Sequence, residues 1–222
     1  VESVAMGRSA GANQQGSNAI AIGHNAGYQE QSSISIAIGQ DAGYTGQDGS
    51  VAIGYRAGYE QQGTHSIALG HYSGHTGQSV EAISIGTYAG RNGQGSGGIG
   101  IGYAAGGTNQ NSNAISIGAE AGYTEQGENA IAIGRSAGKT NQPSNSIVLN
   151  ASGVELNPSN TNSFSVRPIR EEDASNVLTY NPTSYEITYS PYTLRTETNA
   201  ILFFDSVIIG NGGGTQIADY DH

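Results

Sequence analysis

A short phrase that recurs nine times between Val4 and Gly138 constrains the fold more than any other feature of this chain. It consists of two large apolar residues around a small one, then Gly, two variable residues, a small residue and a second Gly. Successive copies are 16 residues apart, with one spacing of 15 between Gly39 and Gly54. A unit this short cannot bury its own apolar face, so neighbouring units must stack. The repeat therefore predicts an all-β fold, a parallel β-roll or β-helix solenoid with coils of about 16 residues.

Glycine divides the chain into two regions. Of the 35 glycines, 30 precede position 151, whereas all three phenylalanines follow it. We therefore predict a β-roll domain over residues 1–150 and a small β-domain over residues 151–222 that caps the roll and takes part in self-association. The roll has nine full coils and one degraded coil, which begin at Val4, Ile20, Ile36, Val51, Ile67, Ile83, Ile99, Ile115, Ile131 and Ile147.

The second region also has the pattern of β-structure. Alternation over residues 185–189 and apolar runs over 201–204 and 207–209 indicate strands. Asn-Pro pairs at Asn157 and Asn181 indicate turns. Because about 70 residues make a marginal domain, we expect contacts between chains to complete it.

Charge and composition exclude several classes of function. The formal net charge is -10, with a single lysine, which argues against binding to nucleic acid or anionic lipid through a basic patch. No apolar run approaches the roughly 20 residues that a membrane-spanning helix needs, and no leader opens the chain. We expect a soluble chain without membrane insertion. Cysteine is absent, so stability must come from stacking or assembly.

Each copy of the phrase alternates with a period of two, as in Ile20-Ala21-Ile22. In a strand, both isoleucines then lie on one face and Ala21 on the other. We predict that the isoleucines build the core and that the uniformly small middle residue packs against the backbone of a second copy of the chain. The two glycines of each copy are predicted at corners where φ is positive. Self-association with another copy of the chain is therefore expected.

Two further rows recur along the coils. The glutamine row is predicted to form a structural ladder of stacked amides, the alternative being a row of amides presented to a sugar. The aromatic row, which includes His75 in the same slot, is predicted to stack as a ladder, the alternative being an exposed strip that binds sugar rings or a protein. The glutamines are Gln15, Gln31, Gln47, Gln62, Gln78, Gln94, Gln110, Gln126 and Gln142, and the aromatic residues are Tyr28, Tyr44, Tyr59 and Tyr123.

The two residues after the first Gly vary freely, which is typical of an exposed corner. An aromatic and basic cluster on adjacent coils is the predicted receptor-binding surface, the alternative being a plain solvated edge. Its members are Tyr55, Arg56, His71, Tyr72, Tyr88 and Tyr103.

The repeat resembles the head repeat of YadA-type trimeric autotransporter adhesins. The resemblance is carried by Asn18-Ala19-Ile20-Ala21-Ile22-Gly23 and its echoes at 113–118 and 129–134, and it covers roughly residues 1–150. It implies left-handed parallel β-rolls assembled as trimers. The usual repeat of that family is shorter than 16 residues, so the glutamine slot has no counterpart in it.

The second region is similar to a segment of fibre and tail proteins of phages and large DNA viruses. The similar residues are Phe164-Ser165-Val166-Arg167-Pro168-Ile169-Arg170, 176–181 and 185–189. In those proteins the segment often lies between a repetitive shaft and a self-cleaving chaperone. Residues 151–222 contain no heptads and no membrane anchor, which favours the viral fibre over the bacterial adhesin.

The residues that could carry chemistry fall in scattered slots. The acidic residues do not form an evident pair, so we predict no enzyme and no catalytic residue. No metal or other cofactor is expected. Calcium is disfavoured because the turns lack the repeated Asp of calcium-binding rolls, and His24, His71 and His75 could form a metal site only across coils or subunits. The resulting hypothesis is a homotrimeric fibre on a virion surface, or otherwise extracellular, that attaches to a cell-surface glycan or protein receptor. A cellular trimeric adhesin head is the runner-up, and an ice-binding solenoid that uses the ranks of Ala and Ser ranks lower.

Overall fold

The computed structural model describes residues 2–170, 177–190, 200–203, 206–211 and 214–217, with side-chain surroundings given for most of the first 188 residues. The chain divides into two compact units, Val1–Ile169 and Arg170–His222. All regular structure in the described residues is β, without a helix, so the predicted fold class is confirmed.

The first unit contains seventeen short strands. They are β1 (Val4–Met6), β2 (Ile20–Ile22), β3 (Gln29–Gln31), β4 (Ile36–Ile38), β5 (Thr45–Gln47), β6 (Val51–Ile53), β7 (Glu60–Gln62), β8 (Ile67–Leu69), β9 (Thr76–Gln78), β10 (Ile83–Ile85), β11 (Asn92–Gln94), β12 (Ile99–Ile101), β13 (Thr108–Gln110), β14 (Ile115–Ile117), β15 (Ile131–Ile133), β16 (Ile147–Asn150) and β17 (Phe164–Arg167).

Two parallel sheets form the sides of each coil. The isoleucine sheet has eleven strands in the order β1-β2-β4-β6-β8-β10-β12-β14-β15-β16-β17, and the glutamine sheet has six in the order β13-β11-β9-β7-β5-β3. Equivalent residues of successive coils pair directly, as Ile20 does with Ile36 and Gln31 with Gln47. The shorter spacing at Gly54 leaves this register intact, because Ile36 pairs with Val51. The stacking predicted from the repeat is confirmed.

The interior of the roll is lined by small residues, and the predicted core of paired isoleucines is wrong. From β2 to β16, the small or middle residue of the isoleucine strands is buried inside its own chain, as at Ala21, Ala37 and Ala52. The flanking isoleucines point outward and are half-buried or exposed. Buried glutamine side chains from the opposite sheet occupy the interior, so the residue that faces them is small in most coils. The small residue is therefore explained by packing within the coil, and the apolar rank faces out.

The glutamine side chains fill the rest of this interior. Eight of them, from Gln31 to Gln142, are 2% exposed or less. Within one coil, Gln94 Nε2 donates to the carbonyl oxygen of Ile83 at 2.8 Å, which ties the two sheets together. Between coils, Gln94 Nε2 donates to Gln110 Oε1 at 3.0 Å, and the same bond recurs from Gln31 to Gln142. We call this chain of amides the glutamine ladder.

The glutamine ladder matches the structural interpretation of this row and excludes an exposed amide row in the described coils. Gln15, at the first coil, differs from the rest, since it is half-buried and donates to the carbonyl oxygen of Val4. The Oε1 atom of Gln31 consequently has no hydrogen-bond partner among the described residues. The ladder thus runs through eight amides, and Gln31 is its last member on that side.

The first Gly of each phrase allows the coils to approach closely. At Gly23, φ is +131°, and a Cβ atom would lie 2.5 Å from the carbonyl oxygen of Gly39 in the next coil. No other residue fits both the backbone conformation and the available space. The predicted positive φ at this corner is confirmed.

A second turn, which returns the chain to the isoleucine sheet, also needs a left-handed residue. Asn occupies this position in Asn18, Asn113 and Asn129, all with φ between +56° and +59°. Ile34 has the same conformation, with φ of +61°, although a β-branched residue disfavours it. Its side chain is 61% exposed and therefore gains little from packing.

The isoleucine sheet continues beyond Asn150, where composition places the domain boundary. β17 pairs in parallel with β16, with Phe164 opposite Ile147, and the compact unit extends to Ile169. Part of the segment predicted to cap the roll is thus built as a further strand of it.

The second unit contains antiparallel strands in its described residues. They are β18 (Val177–Tyr180), β19 (Ile187–Ser190), β20 (Ala200–Phe203), β21 (Ser206–Asn211) and β22 (Gly214–Ile217). β18 pairs with β19, and β21 pairs with both β20 and β22. The predicted turn at Asn181-Pro182 is confirmed, and the Asn181 side-chain oxygen accepts hydrogen bonds from the amides of Thr183 and Ser184.

Within the part of the chain that is described, no helix has the length and apolar character to cross a membrane.

Candidate binding surface

The variable residues of the phrase lie on the turn that leads from the isoleucine sheet to the glutamine sheet. The second variable residue has a left-handed backbone in every full coil, as at Arg56, Tyr72 and Tyr88, where φ is +51°, +55° and +60°. Successive side chains of the row lie one coil spacing apart, roughly 4.8 Å. Most of them are half-buried, and Asp41, Ala104 and Ser136 are buried. The corner thus has the same restrained backbone in every coil, whereas its side chains differ from coil to coil.

The six residues of the predicted receptor-binding cluster form one connected surface, which we call the aromatic corner. Tyr55 stacks on His71 at a centroid distance of 5.3 Å, and Tyr72 stacks on Tyr88 at 5.6 Å. Edge contacts join the two stacks, as between Tyr55 and Tyr72 at 5.4 Å. Tyr103 extends the surface by an edge contact with Tyr88 at 6.2 Å.

Two arginines lie over these rings. The guanidinium of Arg56 is 5.4 Å from the ring centre of Tyr55, and that of Arg91 is 5.1 Å from the ring centre of Tyr88. Arg56 is also held by the Asp41 carboxylate at 3.5 Å and donates to the Tyr72 hydroxyl at 3.4 Å. Because the Tyr72 hydroxyl lies beside it, the pKa of Tyr55 is raised.

The aromatic row beyond the second Gly stacks as a ladder next to the aromatic corner. Tyr28, Tyr44, Tyr59 and His75 form a continuous stack with centroid distances between 4.9 and 5.1 Å. His75 Nδ1 lies 2.9 Å from the Thr76 hydroxyl. Burial lowers the pKa of His75, and the positive charge of Arg91 lowers it further. The imidazole is therefore neutral at pH 7.

The two rows meet, so the sequence-based division between ladder and binding residues is too strict. The ring centres of Tyr72 and His75 are 4.9 Å apart, and the Arg56 guanidinium carbon lies 5.2 Å from the ring centre of Tyr59. Sequence reasoning missed Arg91, which occupies the aromatic slot in its own coil. The signal was a cation in a row of rings, which suggests cation–π contact.

Tyr123 lies apart from the stack, beyond a gap in the two rows. In the coil between Tyr88 and Glu120, the corner position is Ala104, and the aromatic slot is Gly107. A cleft of about 390 Å³ opens there. It is lined by Tyr88, Arg91, Asn92, Tyr103, Ala104, Gly107, Thr108, Glu120 and Tyr123.

The acidic residue of this cleft is held by a lysine. Glu120 Oε2 lies 3.0 Å from Lys139 Nζ, and this hydrogen bond lowers the pKa of Glu120. The residues that the structure describes contain no group of three or more His, Cys, Asp or Glu side chains arranged to hold a metal ion.

Comparisons with protein-family models, curated proteins and solved structures give no match to this chain. The surface must therefore be interpreted from its own geometry.

Proposed function

We propose that this protein is a structural fibre that assembles as a homotrimer on a virion surface and presents a multivalent receptor-binding surface. The single observation that carries the proposal is the row of isoleucine side chains on the outer face of the isoleucine sheet, which we call the isoleucine rank. Ile101, Ile117 and Ile133 lie in register and are 37%, 38% and 41% exposed in one chain. A continuous apolar rank of this kind on an isolated chain marks an interaction surface.

A second copy of the chain is the proposed partner for this rank. The rank repeats once per coil, so identical chains aligned side by side match it along the whole length. Nine coils at about 4.8 Å each extend it over roughly 43 Å. Closed assembly also covers a surface that would otherwise promote uncontrolled association. The partner surface is thus the isoleucine rank, and not the alanine rank favoured by the sequence alone.

The proposed attachment role is based on the surface that stays exposed once the isoleucine rank is covered. The aromatic corner carries Tyr and Arg side chains, which are enriched where proteins bind partners. Three chains present three copies of this surface, so weak single contacts add up to firm attachment to a glycan or protein receptor. We propose no catalytic role, since Glu120 is paired with Lys139.

The experiment is a measurement of mass in solution by light scattering. We expect three times the 22.7 kDa of one chain. The double variant Ile101→Glu/Ile117→Glu places charges in the apolar rank and should give monomers. Its matched control is Gln29→Glu/Gln61→Glu, which adds the same charge at exposed positions of the glutamine sheet and should remain trimeric. A monomeric wild-type chain would overturn the proposal.

A cellular trimeric adhesin head is the second candidate, since the same assembly and surface serve it equally. The coding sequence downstream separates the two, because a self-cleaving chaperone indicates a viral fibre and a membrane anchor indicates an adhesin. The ice-binding alternative loses its surface, because the ranks of Ala and Ser on which it depended point into the roll.

A further inference from the structure

The cleft beside the aromatic corner arises because one coil lacks both side chains that its neighbours have. Ala104 lies between Tyr88 and Glu120 in the corner row, and its backbone pairs with the adjacent coils in normal register. The flanking residues are therefore two coil spacings apart, roughly 9.6 Å. The backbone stack is uninterrupted, so the gap exists only in the side-chain layer.

The same coil has Gly107 in the aromatic slot, between Arg91 and Tyr123. A Cβ atom at Gly107 would lie 2.8 Å from the Tyr123 ring, so this ring lies close against the glycine backbone. Tyr123 and Tyr103 remain 39% and 53% exposed. Tyr123 thus borders the gap from the next coil and Tyr103 from the same coil, and neither Ala104 nor Gly107 has a side chain large enough to fill it.

The polar side chains that line the cleft include hydrogen-bond donors and acceptors, with one cation and one anion among them. Arg91 donates, Thr108 and Asn92 donate or accept, and the Glu120 carboxylate accepts. The low pKa of Glu120 keeps it ionised at neutral pH. Arg91 and Glu120 are the charged residues of the lining, and Glu120 is also paired with Lys139 at 3.0 Å. A ligand in the cleft therefore meets both a guanidinium and a carboxylate, and the carboxylate disfavours an anion.

We propose that this cleft binds a single neutral pyranose unit of a cell-surface glycan. A pyranose has an apolar C–H face that packs on a tyrosine ring and a rim of hydroxyls that both donate and accept. The volume of about 390 Å³ is at the lower end of the range for ligand sites, which suits one small ring. The inference rests on the attachment function proposed above and names its ligand class. Each fibre would carry three such sites.

The test uses the full chain on an array of neutral glycans that end in galactose, glucose, mannose or N-acetylglucosamine, with sialylated glycans alongside. The key variant is Ala104→Tyr, which fills the gap. The backbone accepts it, because φ at Ala104 is +53° and the equivalent Tyr72 and Tyr88 already adopt this conformation. The matched control is Ser9→Tyr, at the same row position with φ of +57° and distant from the cleft.

We expect Ala104→Tyr to lower binding to neutral glycans by at least about tenfold and Ser9→Tyr to leave it unchanged. Tyr103→Ala, which removes an exposed wall without a core contact, should lower binding by several-fold even if Ala104→Tyr misfolds. Unchanged binding in both cleft variants, no neutral glycan bound, or binding to sialylated glycans alone would overturn the inference. Light scattering on the same samples keeps this outcome separate from failure of the trimeric fibre.

Discussion

The interior and the aromatic corner of a coil belong to the same repeat, yet they tolerate different residues. Inside the roll, each side chain contacts its equivalents above and below, so only residues that stack on themselves fit, such as Ala and the glutamine ladder. At the corner, the backbone is restrained to a left-handed conformation, whereas the side chains range from Ala104 to Tyr88. The repeat thus separates structural demand from binding specificity within one coil.

The first and largest test exchanges one hydrogen for a methyl group at the first Gly of the phrase. In Gly86→Ala, the new Cβ would lie 2.6 Å from the carbonyl oxygen of Gly102, at a φ of +125°. We expect the free energy of unfolding to fall by about 3–5 kcal/mol, because the coils must separate or the backbone must strain. Denaturant unfolding at fixed chain concentration measures it.

The adjacent residue provides the control for this test. Thr87 is exposed at the corner, so Thr87→Ala should change the free energy of unfolding by less than about 0.5 kcal/mol. Equal stability of the two variants would show that the interior and the corner do not differ in the way described.

The second test breaks the glutamine ladder in the middle. Gln94 Nε2 donates to Ile83, Gly98 and Gln110, and its Oε1 accepts from Ser84 at 2.6 Å. Gln94→Leu keeps much of the volume and leaves these buried groups unpaired, so we expect a loss of about 3 kcal/mol. Thermal and denaturant unfolding measure the effect.

Gln29 is the matched control, because it is an exposed glutamine in the same sheet. Gln29→Leu should leave the unfolding midpoint close to that of the wild type. If Gln94→Leu were equally mild, the ladder would be a consequence of stacking and not a source of stability.

Much of the fold could be predicted because the repeat dictates it. The 16-residue spacing indicated stacking and register, and the glutamine row indicated the ladder. The face of the strands that points inward could not be predicted, because alternation places Ile20 and Ala21 on opposite faces without showing which face is buried. The usual preference of large apolar residues for the interior gave the wrong answer in a coil whose interior is occupied by the glutamine ladder.

The candidate site was predicted only in part. Tyr55 and Tyr88 were assigned to one surface because their spacing placed them on adjacent coils. The cleft was missed because it is made by Ala104 and Gly107, which have almost no side chain. The lack of larger side chains at these two positions can be recognised only when the neighbouring coils are known to carry Tyr88 and Tyr123 in the same rows.

The third test asks whether turn positions are governed by backbone conformation, as the corner is. Ile34→Asn replaces a β-branched residue at φ of +61° by the residue that Asn18 and Asn113 supply at the equivalent place. We expect a gain of about 1 kcal/mol in the free energy of unfolding. Ile34→Val keeps the branched side chain and should give no gain, so equal effects in chemical denaturation would contradict the proposed strain.

The smallest expected effect concerns His75, where the aromatic ladder meets the aromatic corner. Its pKa is lowered by burial and then by Arg91, while Glu60 opposes the shift. The folded chain therefore binds fewer protons than the unfolded chain between that lowered pKa and the ordinary value of about 6.5, so stability falls as the pH decreases through this window. His75→Tyr continues the row of Tyr44 and Tyr59 without a titrating imidazole. It should reduce the loss of stability between pH 7 and pH 5 by less than about 1 kcal/mol, since the site is partly open to solvent. If the free energy of unfolding changed by the same amount between pH 7 and pH 5 in wild type and variant, the stack would not disfavour the charged imidazole.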